Sequence, residues 1–98
     1  MRVLVVCNAG MSSSILVKKM KEYAASQGEA LEIKAVSSAA AEDEAGEWDV
    51  CLVGPQLMHA VDEIQEAVEV PTAAVEMRTY AMADGKAALA QAKALLGE

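Results

Sequence analysis

Phenylalanine is absent from this 98-residue chain, and its aromatic residues are Tyr23, Trp48 and Tyr80 alone, so a core has to be built from Val, Leu, Ala and Met. Two cysteines, Cys7 and Cys51, are too few for a disulfide framework. In a reducing compartment a thiol near a loop is then a candidate for chemistry. No apolar stretch approaches the ~20 residues that span a bilayer. The opening run Val3-Leu4-Val5-Val6 is too short for a secretory segment and has no small-residue cleavage site after it, so a cytoplasmic protein is expected. Basic residues are also scarce. Eight Lys and Arg stand against fifteen Asp and Glu, a net charge of -7 that argues against nucleic acid as the main partner. The scarcity is uneven, because residues 1–21 hold Arg2, Lys18, Lys19 and Lys21 with no acid. The three lysines read most simply as a solvated helix face.

What is present is a folded composition, 54% hydrophobic and 23% charged, with room for one domain over residues 1–98. Val3–Val6 is continuously apolar, as in a strand covered on both faces. Leu16, Met20, Tyr23 and Ala24 form the stripe of a helix that Gly28 can close. Leu31–Val36 alternates apolar and charged residues, the pattern of a half-exposed edge strand. Ser37–Glu47 is polar, with Ser37 or Ser38 able to cap a short helix ending near Gly46. Its acidic tract, Glu42-Asp43-Glu44, reads as a solvated face. Trp48–Val53 predicts a second central strand, stopped by Gly54-Pro55. Leu57, Val61, Ile64 and Val68 mark another helix. Pro71–Val75 reads as an edge strand and Glu76–Asp84 as loop or irregular helix. Gly85–Leu96 predicts a last helix with Leu89, Ala92, Leu95 and Leu96 inward. Alternating strands and helices imply an α/β fold: a four-stranded parallel open sheet, order 2-1-3-4, with helices on both faces. The order reverses between the first and third strands. Ligands bind beyond the strand ends at such a reversal, so the turns after Val6 and Val53 should flank one crevice.

The turn Cys7-Asn8-Ala9-Gly10-Met11-Ser12-Ser13-Ser14 is the candidate site. A helix starting there directs free N–H groups and a partial positive charge into the loop, which favours an anion: a thiolate, or a phosphoryl group carried on it. Gly10 permits close backbone approach, and Ser12, Ser13 or Ser14 can donate hydroxyls or cap the helix. The same electrostatics that raise the thiolate fraction also make the sulfur a better leaving group. Position 13 holds Ser where a Cys-x5-Arg phosphatase has its clamping arginine, and no Gly-Lys-Ser/Thr loop offers ATP and Mg2+ a seat. No cofactor or metal is called for. Cys7 is therefore read as a nucleophile that accepts and passes on a phosphoryl group. The alternatives are a small thiol-dependent phosphatase or arsenate reductase, a regulatory module that only binds an anion, or simply a buried cysteine ending a strand. Gln56 either reaches the phosphoryl group or serves the turn. Tyr80 either packs or edges the site. Met11 is packed under the loop or exposed at its tip, His59 reads as a surface residue, and Cys51 as part of the core.

Val5-Val6-Cys7 followed by Ala9-Gly10-Met11-Ser12, a basic amphipathic helix, Gly54-Pro55-Gln56 after the third strand, and Tyr80 with Asp84-Gly85 before the last helix resemble a known family. It is the enzyme IIB component of the bacterial phosphoenolpyruvate-dependent sugar phosphotransferase system, lactose/cellobiose/chitobiose family. The resemblance implies a cytoplasmic domain whose cysteine is phosphorylated by a phosphohistidine on the IIA protein. It then passes the group to a sugar entering through the membrane IIC protein. On this chain Cys7 would be the phosphocysteine and Asn8, Ala9, Gly10, Met11, Ser12, Ser13 and Ser14 its phosphate cradle, with Gln56 and Tyr80 behind it. Asn8 and Ser13 stand where the family commonly has other small polar residues. The free-standing domain is most similar to members handling a β-linked disaccharide such as cellobiose or chitobiose. A monomer in isolation, peripheral to the membrane through IIC, is expected, with Lys18 and Lys19 as candidate partner contacts.

Overall fold

The computed structural model describes residues 1–7 and 14–97, so the expectations for Asn8, Ala9, Gly10, Met11, Ser12 and Ser13 fall outside the described residues. Four parallel strands, β1 (Arg2–Cys7), β2 (Glu32–Ser37), β3 (Val50–Val53) and β4 (Thr72–Ala74), lie in the order β2-β1-β3-β4. The expected topology is thus the one observed. Val3 to Cys7 are all buried because β1 is flanked by strands on both sides and covered on both faces. β2, paired only to β1, keeps the alternating exposure that its charged residues require.

The pleat of the two central strands sorts the core. Val3, Val5, Val50 and Leu52 face α1 (Ser14–Ser26) and α4 (Gly85–Leu95) through Leu16, Met20, Ala24, Ala88, Leu89 and Ala92. Leu4, Val6, Cys51 and Val53 face the opposite way, onto Ile64 and Val68 of α2 (Val61–Val68) and onto Ala41 and Leu57. Burying a side chain such as Leu4 or Leu52 contributes about 2 kcal/mol. The helix stripes are accordingly what hold the layers together. α1 ends as expected: Gly28, at φ +69°, closes it with Gly28 N–H donating to Ala25 O and Glu29 N–H to Ala24 O, 3.1 and 2.9 Å.

Four local readings need correction. The helix expected from Leu57 to Val68 is a 3-10 segment, Pro55–Ala60, followed by α2; Leu57 breaks the helical backbone at φ -109°, ψ 17° yet stays buried. Burial follows the apolar spacing even where the backbone does not. The short helix before β3 is 3-10 as well (Ser38–Glu44), and its cap residue Ser37 makes no side-chain capping bond. Glu44 is no solvated acid: its carboxylate accepts from Lys34 Nζ and Trp48 Nε1, both at 3.0 Å. Those two donors hold its carboxyl below the usual range. Leu96 lies beyond the end of α4 and is exposed, because the apolar stripe of that helix is complete without it. The irregular stretch after β4 contains a short helix, α3 (Met77–Ala81).

Candidate functional site

β1 delivers Cys7 to the carboxyl end of the sheet, and β3 delivers Gly54 beside it. Gly54 N–H donates to Val6 O at 2.8 Å, so the turn after β3 is bonded to the strand that carries the thiol. The glycine here leaves the Gln56 carboxamide room to lie against the turn. A Cβ on Gly54 would lie 2.9 Å from Gln56 Oε1, 3.6 Å from Cys7 Cβ and 3.7 Å from Tyr80 Cε1. Cys7, Gln56 and Tyr80, the expected nucleophile and its two expected supports, thus meet around one α-carbon. Gln56 is exposed, Tyr80 half-buried and Cys7 fully buried.

A cleft of about 390 Å3 opens next to this contact, lined by Pro55, Gln56, Met77, Tyr80 and Ala81. Its α3 wall was not legible in the sequence. Nothing but position after β4 could have indicated Met77 and Ala81. Ser14 begins α1, which packs on the β1 face that holds Val3 and Val5; the chain after α1 returns to the start of β1, where Met1 N–H donates to Ala30 O and Glu32 N–H to Met1 O, so the helix starts at the same end of the sheet as Cys7. That places the positive end of a 13-residue helix on the thiol's side. The rim of this end is apolar: Ile15, Met58, Met77 and Met82 are each more than 60% exposed.

The basic residues of the N-terminal stretch separate. Arg2, at the far end of β1, pairs with Glu32 at 3.1 Å and lies over the Trp48 ring at 5.3 Å. Lys18, Lys19 and Lys21 are exposed on α1, and Lys19 lies 3.7 Å from Glu22. His59 is exposed, as expected. Cys51 faces the α2 side of the core, where burial pushes its thiol up to about 12 despite a Thr72 hydrogen bond. A thiol in that state is inert near neutral pH. Among the described residues no cluster of His, Cys, Asp and Glu could hold a metal ion, and no helix is long and apolar enough to cross a membrane.

The family model for the lactose/cellobiose-specific IIB subunit of the phosphotransferase system (PTS) matches residues 2–91. The chain belongs to this family. Among curated relatives it is 43% identical over 68 residues to an oligo-beta-mannoside-specific EIIB component of Bacillus subtilis, covering 69% of this chain and 66% of the relative. It is 38% identical over 73 residues to a galactose-specific EIIB component of Lactococcus lactis, covering 69% and 68%. The chain thus matches about two thirds of the length of these relatives. Among solved structures, a cellobiose-specific IIB protein of Borrelia burgdorferi superimposes with a TM-score of 0.81 at 27% identity, over 99% of this chain and 92% of that one. A lactose-specific IIB domain from Streptococcus pneumoniae, 20% identical, shares the fold at a TM-score of 0.78, over 97% and 94%. IIB components are phosphotransferases, so the family assigns this chain to sugar phosphotransferase systems.

Proposed function

We propose that residues 1–98 act as one cytoplasmic phosphocarrier domain in which Cys7 accepts a phosphoryl group from phosphohistidine on a IIA protein. It hands the group to a sugar at a membrane IIC protein. In the first step the Cys7 thiolate attacks phosphorus, an S–P bond forms, and the P–N bond breaks with its electron pair returning to the imidazole. In the second a sugar hydroxyl attacks, loses its proton, and the S–P bond breaks to release the thiolate. The charge that spreads over the phosphoryl oxygens calls for fixed donors rather than for new covalent chemistry. The first turn of α1, the loop Asn8, Ala9, Gly10, Met11, Ser12, Ser13 and Ser14, and the carboxamide of Gln56 would supply them, with Tyr80 as the wall behind.

The observation that carries this reading is the convergence of Cys7, Gln56 and Tyr80 on Gly54 at the carboxyl ends of the central strands. The exposed Ile15, Met58, Met77 and Met82 supply an apolar rim on which a phosphoryl donor protein can dock. We infer a β-linked disaccharide as the final acceptor: two relatives are named for oligo-beta-mannoside and cellobiose, a third for galactose. Against the phosphatase alternative stand Ser at position 13 in place of the clamping arginine and the position of Arg2 at the other end of the strand. The test is incubation with phosphoenolpyruvate, the general carrier proteins and a cognate IIA, followed by mass spectrometry. One phosphoryl group on the Cys7 peptide is expected, and full labelling of Cys7→Ser would overturn the assignment.

A further inference from the structure

Gly85 opens α4 where that helix crosses α1. A Cβ there would lie 2.4 Å from both the carbonyl carbon and the oxygen of Lys19 and 2.7 Å from Met20 N. These are backbone atoms, so they can yield only if a whole helix moves. The contact lies five residues into α1, about 7.5 Å of helix rise from Ser14. Asp84 fixes where α4 begins: Oδ1 accepts from Ala87 N–H at 3.1 Å and its carbonyl from Ala88 N–H at 3.0 Å. Its own N–H donates to Thr79 O at 2.9 Å. Thr79 is buried and directly precedes Tyr80, which meets Gly54 beside Cys7. Residues 79–85 therefore touch both walls of the crevice: the turn after β3 through Tyr80, and the α1 backbone through Gly85.

We propose that Asp84 and Gly85 are positioning residues that set how closely α1 sits against α4, and through it the distance from the first turn of α1 to the Cys7 sulfur. The inference rests on the reading of Cys7 as a phosphoryl carrier served by that turn. The electrostatic influence of a helix N-terminus falls off within its first turn, so a small displacement of α1 away from the thiol weakens it sharply. A bulkier residue at position 85, or a frayed start of α4, should leave the fold in place while making the thiol harder to ionise.

The test is the pH midpoint of Cys7 alkylation, scored on the Cys7 peptide by mass spectrometry, in the wild type and in Gly85→Ala, Asp84→Ala, Asp84→Asn and Ala92→Gly. Urea stability is measured alongside. Gly85→Ala and Asp84→Ala should raise the midpoint by about half a unit, a roughly three-fold loss of thiolate near neutral pH. Asp84→Asn retains the cap while losing the same charge and should titrate like the wild type. Ala92→Gly weakens the buried face of α4 away from its first turn and adds no volume at the crossing. It should lower stability and leave the midpoint in place. An unchanged midpoint in Asp84→Ala overturns the proposal, as does a shift that follows stability alike in Ala92→Gly. Should Gly85→Ala fail to fold, the Asp84 pair decides. Because no phosphoryl transfer is measured, a negative result leaves the carrier role of Cys7 intact, and loss of that role leaves these midpoints readable.

Discussion

Replacing Gly54 by Ala separates stability from function at the point where the site converges. The backbone there, φ -58° and ψ 147°, is one that alanine adopts freely. Of the three atoms the new methyl would meet, Cys7 Cβ at 3.6 Å and Tyr80 Cε1 at 3.7 Å are at ordinary contact distance. Only Gln56 Oε1, at 2.9 Å, must move, and it is the far end of an exposed, flexible side chain. Stability should therefore change by less than about 1 kcal/mol, helped by the smaller entropy of the unfolded chain. Transfer should suffer more. If the carboxamide donates to the phosphoryl oxygens, displacing it removes a hydrogen bond to a charged group worth about 1.5–3 kcal/mol, or roughly ten- to a hundred-fold in rate. Single-turnover phosphorylation of Cys7 measures the rate, and urea unfolding followed through Trp48 fluorescence measures the stability. Gln56→Ala should show the same loss, and the double variant should be no worse than either single one. Additive losses, or full transfer by Gly54→Ala, would refute the role given to Gln56; a stability loss of several kcal/mol would refute the packing argument.

Other expectations test separate parts of the molecule. Met77→Glu changes a residue that is 71% exposed, so stability should hold within about 0.5 kcal/mol while the KM for the phosphorylated donor protein rises; an unchanged KM would remove Met77 from the docking rim. Cys51 keeps its proton up to about 12 in the fold but loses it near the ordinary thiol value when unfolded, so its contribution to stability is complete below about pH 9 and is lost as pH rises toward 12. The alkaline loss could reach about 4 kcal/mol, and Cys51→Val should lack that component when the two stability–pH curves are compared. Glu44 has the opposite sign. Its carboxyl is held low by the Lys34 and Trp48 hydrogen bonds, so its contribution is present above its unfolded value and lost as pH falls through the folded one; Glu44→Gln should flatten the acid side of the curve.

The sheet order was legible because the continuous run Val3–Val6 and the alternating Leu31–Val36 report directly whether a strand is covered on two faces or one. The helix stripes were legible for the same reason, and Leu16, Met20 and Ala24 are all buried. Local geometry was not. Nothing in Leu57, Val61, Ile64 and Val68 distinguishes one helix from a 3-10 turn leading into another, since apolar spacing records burial rather than hydrogen-bond pattern. Glu44 looked like one acid among several because its partners are Lys34 on β2 and Trp48 in the turn before β3, contacts that periodicity cannot register. At the site, the pairing of the Cys7 and Gly54 turns follows from topology and was foreseen. The seating of Tyr80 against Gly54, and of Gly85 on the α1 backbone, depends on distances that only a folded chain has.

The two cysteines set a physical requirement on any carrier role. Both are fully buried on central strands of one sheet, and Cys51 shows what such burial alone does to a thiol: with a single hydroxyl contact it is pushed up to about 12. A sulfur subject only to that penalty could not act near neutral pH. Cys7 differs in its place. It ends its strand where α1 starts, whereas Cys51 sits mid-strand with apolar side chains around it. If the helix N-terminus offsets the burial penalty, alkylation at pH 8 with peptide mapping should modify Cys7 well before Cys51. Unfolding in urea should make the two rates equal. Equal rates in the folded protein would mean that the strand end confers no advantage, and the thiol would then lack the ionisation that phosphoryl transfer demands.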